Sequence, residues 1–573
     1  MPRGRERPHT PVLRLGLAVC ALFSGACTGL VADPSPDSRG ASAAPERPGA
    51  SSGGSTGGGG SVTELPEFSA APGAFKRLTT SEYLATVRDL LGEVTIGDLE
   101  PDTFVEGFAK VGSSQVSISL NGVEKYERAA EAATSQVFED ETRRSAFVGC
   151  TPSGTSDNAC YESFVTRFGR LAFRRPLRDA ERQRYTTLAS TIATTLDDPI
   201  AGLRLTTKAI LLSPHFLYRV ERGTPDTGSG FWRLTSHELA ANLSYFLTNS
   251  SPDTELLDAA DRDELSSVDA LRAQAERLLA LPQGRKAVGN FATELFRLAL
   301  ISDRAKDPGL FPEYLPPLKS AIAREIPAML EHVVFDRRVS ALELFTTRTT
   351  FMNAELAGLY GLEVPGLTSS SWQEVELPAD GLRAGLLGTG AFLSLNANQK
   401  EGSPTHRGRF IREYLLCQEI PDPPPDVSTV IEDPPPGVVL TKRDKLDAHR
   451  NKAACAFCHS LMDPLGLTLE NFDAIGKFRE TEQGLTIDVS GDFDGVPFEG
   501  PLELGQLLAE NPLTTECLVK NVYRYATGRT YRESQARVVA ALVERFTAEG
   551  HDFQKLMIDL VTSDGFRFVA PPQ

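Results

Sequence analysis

The chain has 573 residues, 41% of them hydrophobic, and a formal net charge of −17. That length is too great for one core and implies several domains. The charge excludes a nucleic-acid binder, which would carry a basic patch or stripe, gives no reason to expect binding to an anionic membrane surface, and suits a soluble partner with a basic docking face.

The first element is an export signal. Arg3, Arg5, Arg7 and Arg14 form a basic n-region, Leu15 to Leu22 is apolar, and the small residues Ser24, Gly25 and Ala26 precede Cys27. Residues 1–27 are therefore predicted to be a signal peptide, too short for a stable membrane anchor. The run Leu22-Phe23-Ser24-Gly25-Ala26-Cys27 is similar to a bacterial lipobox, with Ser24 where Leu is commonest. Cys27 is the candidate lipidation site, and ordinary cleavage nearby is the alternative. Residues 28–74 are rich in Pro, Ser, Ala and Gly. Such a composition cannot bury a core and predicts a disordered tether. No later apolar run reaches the roughly 20 residues a membrane helix needs, so attachment to a membrane is expected by lipid anchor only.

From residue 75 onward the pattern is mostly helical. Thr79-x-x-Glu82 is a capping box ahead of Tyr83, Val87, Leu90 and Leu91 at helical spacing, with Gly92 as a stop. A second box, Thr235-x-x-Glu238, precedes Leu239, Leu243, Phe246 and Leu247. Ser251-Pro252-Asp253-Thr254-Glu255 reads as another helix start with Pro at its first position. Strand signals are sparse, the best being Trp372 to Leu377. Loop-like breaks divide this part into helical domains at 75–149, 150–221, 231–363 and 495–570, with a cytochrome c-like module at 381–485. The expected fold class is mainly α: several helical modules with an embedded haem module. Pro423-Pro424-Pro425 and Pro434-Pro435-Pro436 lead into that module as a stiff segment.

Two internal echoes suggest duplication of a helical unit. Arg77-Leu78-Thr79 with Glu82 returns as Arg233-Leu234-Thr235 with Glu238. Arg175-Pro176-Leu177-Arg178 with Glu181 is similar to Arg529-Thr530-Tyr531-Arg532 with Gln535, and Ser213-x-x-Phe216 and Ser563-x-x-Phe566 follow them at comparable distances.

The chemistry is concentrated in Cys455-Ala456-Phe457-Cys458-His459, a C-x-x-C-H motif. This is the attachment signature of c-type haem: two thiols add to the two vinyl groups, and the adjacent histidine becomes the proximal iron ligand. A redox dithiol would want a thioredoxin-like βαβ pattern, which the chain lacks, and a zinc site would have to use adjacent Cys458 and His459, or find further ligands elsewhere. The expected cofactor is thus covalently bound haem c with its iron on His459. Met462 lies too close after His459 to reach the opposite face of the porphyrin and is expected to pack beneath it. Pro464 and Gly466 are placed to supply the carbonyl that orients His459 through Nδ1. His449, His406 and Met557 are the candidate sixth ligands, with an open or water-bound iron as the remaining alternative, and the choice sets whether the haem transfers electrons or activates a ligand.

Eight cysteines are present. Cys20 lies in the signal, Cys27 is assigned to lipid, and Cys455 and Cys458 to haem. Cys150, Cys160, Cys417 and Cys517 remain, an even number that suggests disulfides in an exported chain. Cys150 and Cys160 bracket a short polar loop and are expected to pair, which leaves Cys417 with Cys517 by elimination. Two free buried thiols are the alternative for the second pair.

The run Thr441-x-Arg443-Asp444, His449, Cys455-x-x-Cys458-His459-x-x-Met462-Asp463-Pro464-x-Gly466-x-x-x-Glu470-x-Phe472-Asp473-x-x-Gly476-x-x-Arg479 resembles the planctomycete and myxobacterial multi-domain cytochrome c-domain proteins of unknown function. Phe75 to Gly92, Ala172 to Leu177, Ser213 to Arg219, Ser403-Pro404-x-x-Arg407-Gly408 and Tyr525 to Arg529 are similar to the other segments of that family, in the same order. The resemblance spans about residues 75 to 568. It implies haem at Cys455, Cys458 and His459, and suggests that His449, Asp463, Glu470, Asp473 and Arg479 matter around it. Local roles compete: Asp463-Pro464 reads as a turn, and Glu470 or Asp473 as a helix cap. Arg479 is the candidate for a haem propionate, since guanidinium forks onto carboxylate.

Together these features lead to an exported c-type haem protein: a periplasmic or outer-surface lipoprotein of a Gram-negative-type envelope, serving electron transfer or oxidoreduction with a redox partner protein. A haem peroxidase or oxygenase with an open iron, and a surface interaction scaffold with accessory haem, are the alternatives. Whether it is an enzyme stays open at this stage.

Overall fold

The computed structural model describes residues 65–421, 437–450 and 453–572. The signal peptide, Cys27, most of the tether and the polyproline segment lie outside the described residues. The described chain is mainly α-helical, with only short two- and three-stranded sheets, and residues 64–573 cluster as one compact unit. Among the described residues no helix is long and apolar enough to cross a membrane.

Strand β1 (Phe75–Arg77) leads into helix α1 (Thr80–Leu91), whose start is fixed by the Thr79/Glu82 capping box. Helices α2 (Asn158–Phe173), α3 (Asp179–Leu196) and α4 (Pro199–Leu211) follow, and strand β2 (Tyr218–Val220) returns to pair antiparallel with β1, Lys76 opposite Arg219. The same plan then recurs. Strand β3 (Trp232–Arg233) leads into α5 (Ser236–Leu247) through the Thr235/Glu238 box. Helices α6 (Pro282–Leu295) and α7 (Pro316–Glu331) come next. The region bearing the C-x-x-C-H motif follows with α8 (Pro404–Phe410), α9 (Lys442–Arg450) and α10 (Ala453–Leu467). Helices α11 (Pro512–Thr527), α12 (Ala536–Ala548) and α13 (Phe553–Thr562) end at strand β4 (Phe568–Val569), antiparallel to β3.

Both sequence echoes thus occupy matching places. Leu78 donates to the Leu217 carbonyl at 2.9 Å, and Leu234 to the Arg567 carbonyl at 3.0 Å. The backbone N–H of Arg178 is capped by Glu181 at 2.9 Å, and that of Arg532 by Gln535 at 3.1 Å. Ser213 and Ser563 precede the short turns that carry buried Phe216 and Phe566. One helical plan occurs twice, and the second occurrence is split by the segment bearing the C-x-x-C-H motif.

Buried charge fastens the pieces together. Glu221 accepts from Lys76, from Arg529 and from Asn242 (2.7 Å), so that with Glu221 itself four separate stretches of chain meet. Glu82 is fully buried and paired with Arg219 at 3.2 Å and Lys110 at 3.3 Å. Both disulfide pairs form, Cys150–Cys160 and Cys417–Cys517, and the second joins positions 100 residues apart.

Two local expectations need correction. Residues 65–74, placed in the disordered tether, lie along the body: Ser69 donates to the Ser534 carbonyl at 3.0 Å, Pro72 bridges to Ala570, and Ala70 and Ala71 are buried. Tertiary contact orders what composition alone leaves loose. Pro252 precedes the helix cap rather than opening the helix; Asp253 is the cap, its carboxylate accepting from Leu256 at 2.9 Å, and the helix runs Thr254–Asp261. The strand expected near Trp372 to Leu377 forms at Gln373–Glu376, paired with Thr349–Met352.

Candidate cofactor site

All three motif residues lie on α10, so Cys455 and the Cys458-His459 pair share one face, three and four residues apart. Cys455 is buried and Cys458 half-buried; both are free thiols, whereas Cys150, Cys160, Cys417 and Cys517 are all paired. Cys458 Sγ faces the Pro421 carbonyl at 3.9 Å. Phe457 points to solvent, 66% exposed, and Met462 is buried.

His459 is held from below by a carboxylate. Its Nδ1 lies 2.8 Å from Oδ2 of Asp463, one turn further along α10. Asp463 is fully buried, and its Oδ1 accepts from Thr405 Oγ1 on α8 at 2.9 Å. The anticipated carbonyl from Pro464 or Gly466 is replaced by this carboxylate. The reason is local: Asp463-Pro464 is not a turn but lies within α10, so position i+4 brings the Asp463 side chain alongside the imidazole. A carboxylate on Nδ1 fixes the tautomer, leaves Nε2 as the nitrogen able to ligate, and makes the ring a stronger donor.

Helix α8 positions this pair by an unusually close crossing with α10. A Cβ on Gly408 would sit 1.9 Å from the Met462 carbonyl oxygen, and one on Gly466 would sit 1.8 Å from the Pro404 oxygen. Only glycine fits at either place. One residue before Gly408, fully buried Arg407 reaches the segment that leaves α10. It donates to the carbonyls of Leu469 (2.7 Å), Phe472 (3.0 Å) and Asp473 (2.9 Å), and pairs with Glu470 at 3.1 Å. Burial holds the Arg407 pKa below its usual value; burial also raises that of Glu470, against the pull of Arg407 and Arg479. Arg479, the candidate for a propionate, gives Nε to the Glu470 carbonyl at 2.9 Å and Nη2 to its carboxylate at 3.0 Å. Glu470 is thereby the centre of an Arg–Glu–Arg cluster. Asp473 forms a turn, accepting from Ile475 and Lys477.

The three candidate sixth ligands lie in different surroundings. His449, on α9 and 5% exposed, is stacked edge-on against His459 with ring centroids 4.8 Å apart. His406 is on α8 but lines a separate cleft with Arg304 and Arg409; burial, then those two cations, lowers its pKa. Met557 is 2% exposed in the core, on α13, whose chief neighbours are α11, α12 and the helix Val268–Leu279 rather than α10. The residues that sequence reasoning did not assign are Thr405 and Arg407. The former carries no signal of its own, while the latter stood in the Ser403-Pro404-x-x-Arg407-Gly408 run.

Five segments match families, each described as a protein of unknown function: DUF1587 at 76–139, DUF1595 at 160–221, DUF1592 at 234–362, DUF1588 at 383–482 and DUF1585 at 494–566. The chain carries all five domains. The C-x-x-C-H helix falls in the DUF1588 segment, and Glu221 bolts the DUF1587, DUF1595, DUF1592 and DUF1585 segments together. No curated protein and no solved structure matches the chain at a significant level.

Proposed function

We propose that this is an exported c-type haem protein of the planctomycete and myxobacterial kind, an electron-transfer or oxidoreductase component of the cell envelope. The observation that carries the reading is the His459–Asp463 pair beside two unpaired thiols on one helix. The donor set suits covalent haem: Cys455 and Cys458 offer thiols at the required spacing, and Asp463 commits Nδ1 so that Nε2 is the iron ligand. When bound, the haem supplies one-electron chemistry at its iron. Asp463 retains the Nδ1 proton and holds the ring in one orientation, while Thr405 holds Asp463. Of the candidate sixth ligands, His449 lies nearest His459, and it would serve only if the two rings part to admit the porphyrin; a second imidazole would favour electron transfer over ligand activation.

Two disulfides fit an oxidising compartment. Together with the signal-like N-terminus they support a periplasmic or outer-surface location, with Cys27 as lipid anchor. The net charge of −17 supports a redox partner with a basic docking face.

The test is the pyridine haemochrome of protein made with a cytochrome c maturation system. A c-type spectrum that disappears in Cys455→Ala/Cys458→Ala supports the reading, and protein without covalent haem ends it. A reduced spectrum inert to carbon monoxide, becoming reactive in His449→Ala, supports the sixth ligand; rapid binding by the unaltered protein points instead to an open-site enzyme.

A further inference from the structure

The DUF1587 and DUF1592 segments enclose a cleft that lies apart from the haem motif. Helix α1 forms one wall, α6 and α7 the other, and the loop Thr248–Ser250 closes the floor. The loop itself is buried. Asn249 at its centre has φ +58°, a conformation that L-residues other than Asn and Asp rarely hold. It is 5% exposed, and its Oδ1 has no hydrogen-bond partner. A buried amide oxygen is seldom left without a donor, and Asn249 lines the cleft.

The surroundings are polar and uncommitted. Among the described residues the side chains of Gln283, Asn290 and Ser320, which line the same cleft, make no hydrogen bond. Between them lie small apolar surfaces from Ala85, Ala323 and Pro327. Gly289 keeps the space open, because a Cβ there would come within 2.3 Å of Glu331 Oε1. Charges along the lining are mixed: Arg88, Lys286 and Arg324 stand beside Asp89 and Glu331.

We propose that this cleft binds a neutral carbohydrate chain. Amide and hydroxyl groups both donate and accept, as the hydroxyls of a sugar require, and the small apolar surfaces suit the C–H faces of its rings. Mixed charge along the lining selects neither a polyanion nor a polycation. The walls are helices with no free strand edge, so an extended peptide has nothing to pair with. This site is independent of the haem reading and is tested without any haem signal.

The experiment is affinity electrophoresis of the full mature chain through native gels cast with soluble β-glucan, xylan, galactomannan or dextran, with alginate and gelatin gels alongside. Retardation in at least one neutral gel is expected, weakened at least tenfold in two variants. Asn249→Gly removes the amide while tolerating the positive φ. Ser320→Trp fills the cleft from an exposed helix position. Unchanged melting curves show that both variants are folded. Migration unaffected by every neutral polysaccharide, retardation undiminished in both variants, or retardation by gelatin or alginate alone overturns the proposal.

Discussion

Arg407 offers the sharpest test of how the motif helix is held. Replacing it with Ala strips donors from three carbonyls, those of Leu469 and Phe472 buried and that of Asp473 partly so, and leaves Glu470 with Arg479 as its remaining ion-pair partner. Each buried acceptor left without a donor costs about 1–3 kcal/mol, and breaking a buried ion pair costs about 3–5 kcal/mol. These terms share one side chain and do not add, so a local destabilisation of about 4 kcal/mol is expected. At 1.4 kcal/mol per factor of ten, that is roughly a thousandfold increase in local opening. Hydrogen exchange reads it directly. The amides of Phe472, Asp473 and Arg479 are all hydrogen-bonded in this segment, to Leu469, Lys477 and Asn471, and they should lose that much protection. Arg407→Lys keeps the charge but not the fork, and should accelerate exchange about 30-fold, near 2 kcal/mol. Amides of the DUF1595 segment should be unaffected. Exchange at Phe472 and Arg479 within threefold of the unaltered protein in Arg407→Ala would refute the role assigned to this side chain.

Asp463→Asn removes the carboxylate from His459 Nδ1, and a 10–100-fold loss of haem incorporation is expected on quantitative haemochrome assay; equal incorporation would show that Asp463 is dispensable. Gly466→Ala drives a Cβ to within 1.8 Å of the Pro404 oxygen, so α8 and α10 must separate, and a stability loss of about 3 kcal/mol is expected in urea unfolding followed by far-UV circular dichroism. Removing Cys417–Cys517 by a Cys417→Ser/Cys517→Ser pair opens a loop of 100 residues, a change worth about 3–5 kcal/mol; its signature is a lowered urea midpoint, matched by mild reduction of the unaltered protein. Glu221 gives a pH signature. Burial would raise its pKa, but Arg529 and Lys76 outweigh that and hold it near 2. Its unfolded value is about 4.3. The stabilisation is therefore present above that value and lost as pH falls toward 2. The melting-temperature gap between the unaltered protein and Glu221→Gln should be constant from about pH 5 to pH 6, below the point near 7 to which burial lowers its partner Lys76, and shrink below pH 4; a gap independent of pH across pH 2–6 would contradict the assigned ionisation.

Sequence alone determined whatever depends on neighbours along the chain. The capping boxes at Thr79 and Thr235 and the helices behind them follow from spacings of three and four residues. The two echoes, short as they are, foreshadowed a plan used twice, because a cap and a returning strand are local signals. The Asp463 contact also lies at i+4, but an Asp-Pro pair reads locally as a turn, and only the helix running through Pro464 puts the carboxylate beside His459. Tertiary structure decided the rest. Nothing in the spacing of positions 407 and 470, or of 449 and 459, says that these side chains meet, since long-range contact depends on how helices pack. Close packing at Gly408 and Gly466 brings Thr405 to Asp463 and Arg407 to the chain beyond the motif. In the same way the folded body captures residues 65–74, which composition alone would leave loose, and sets an unpaired Asn249 beneath a cleft made from two domains.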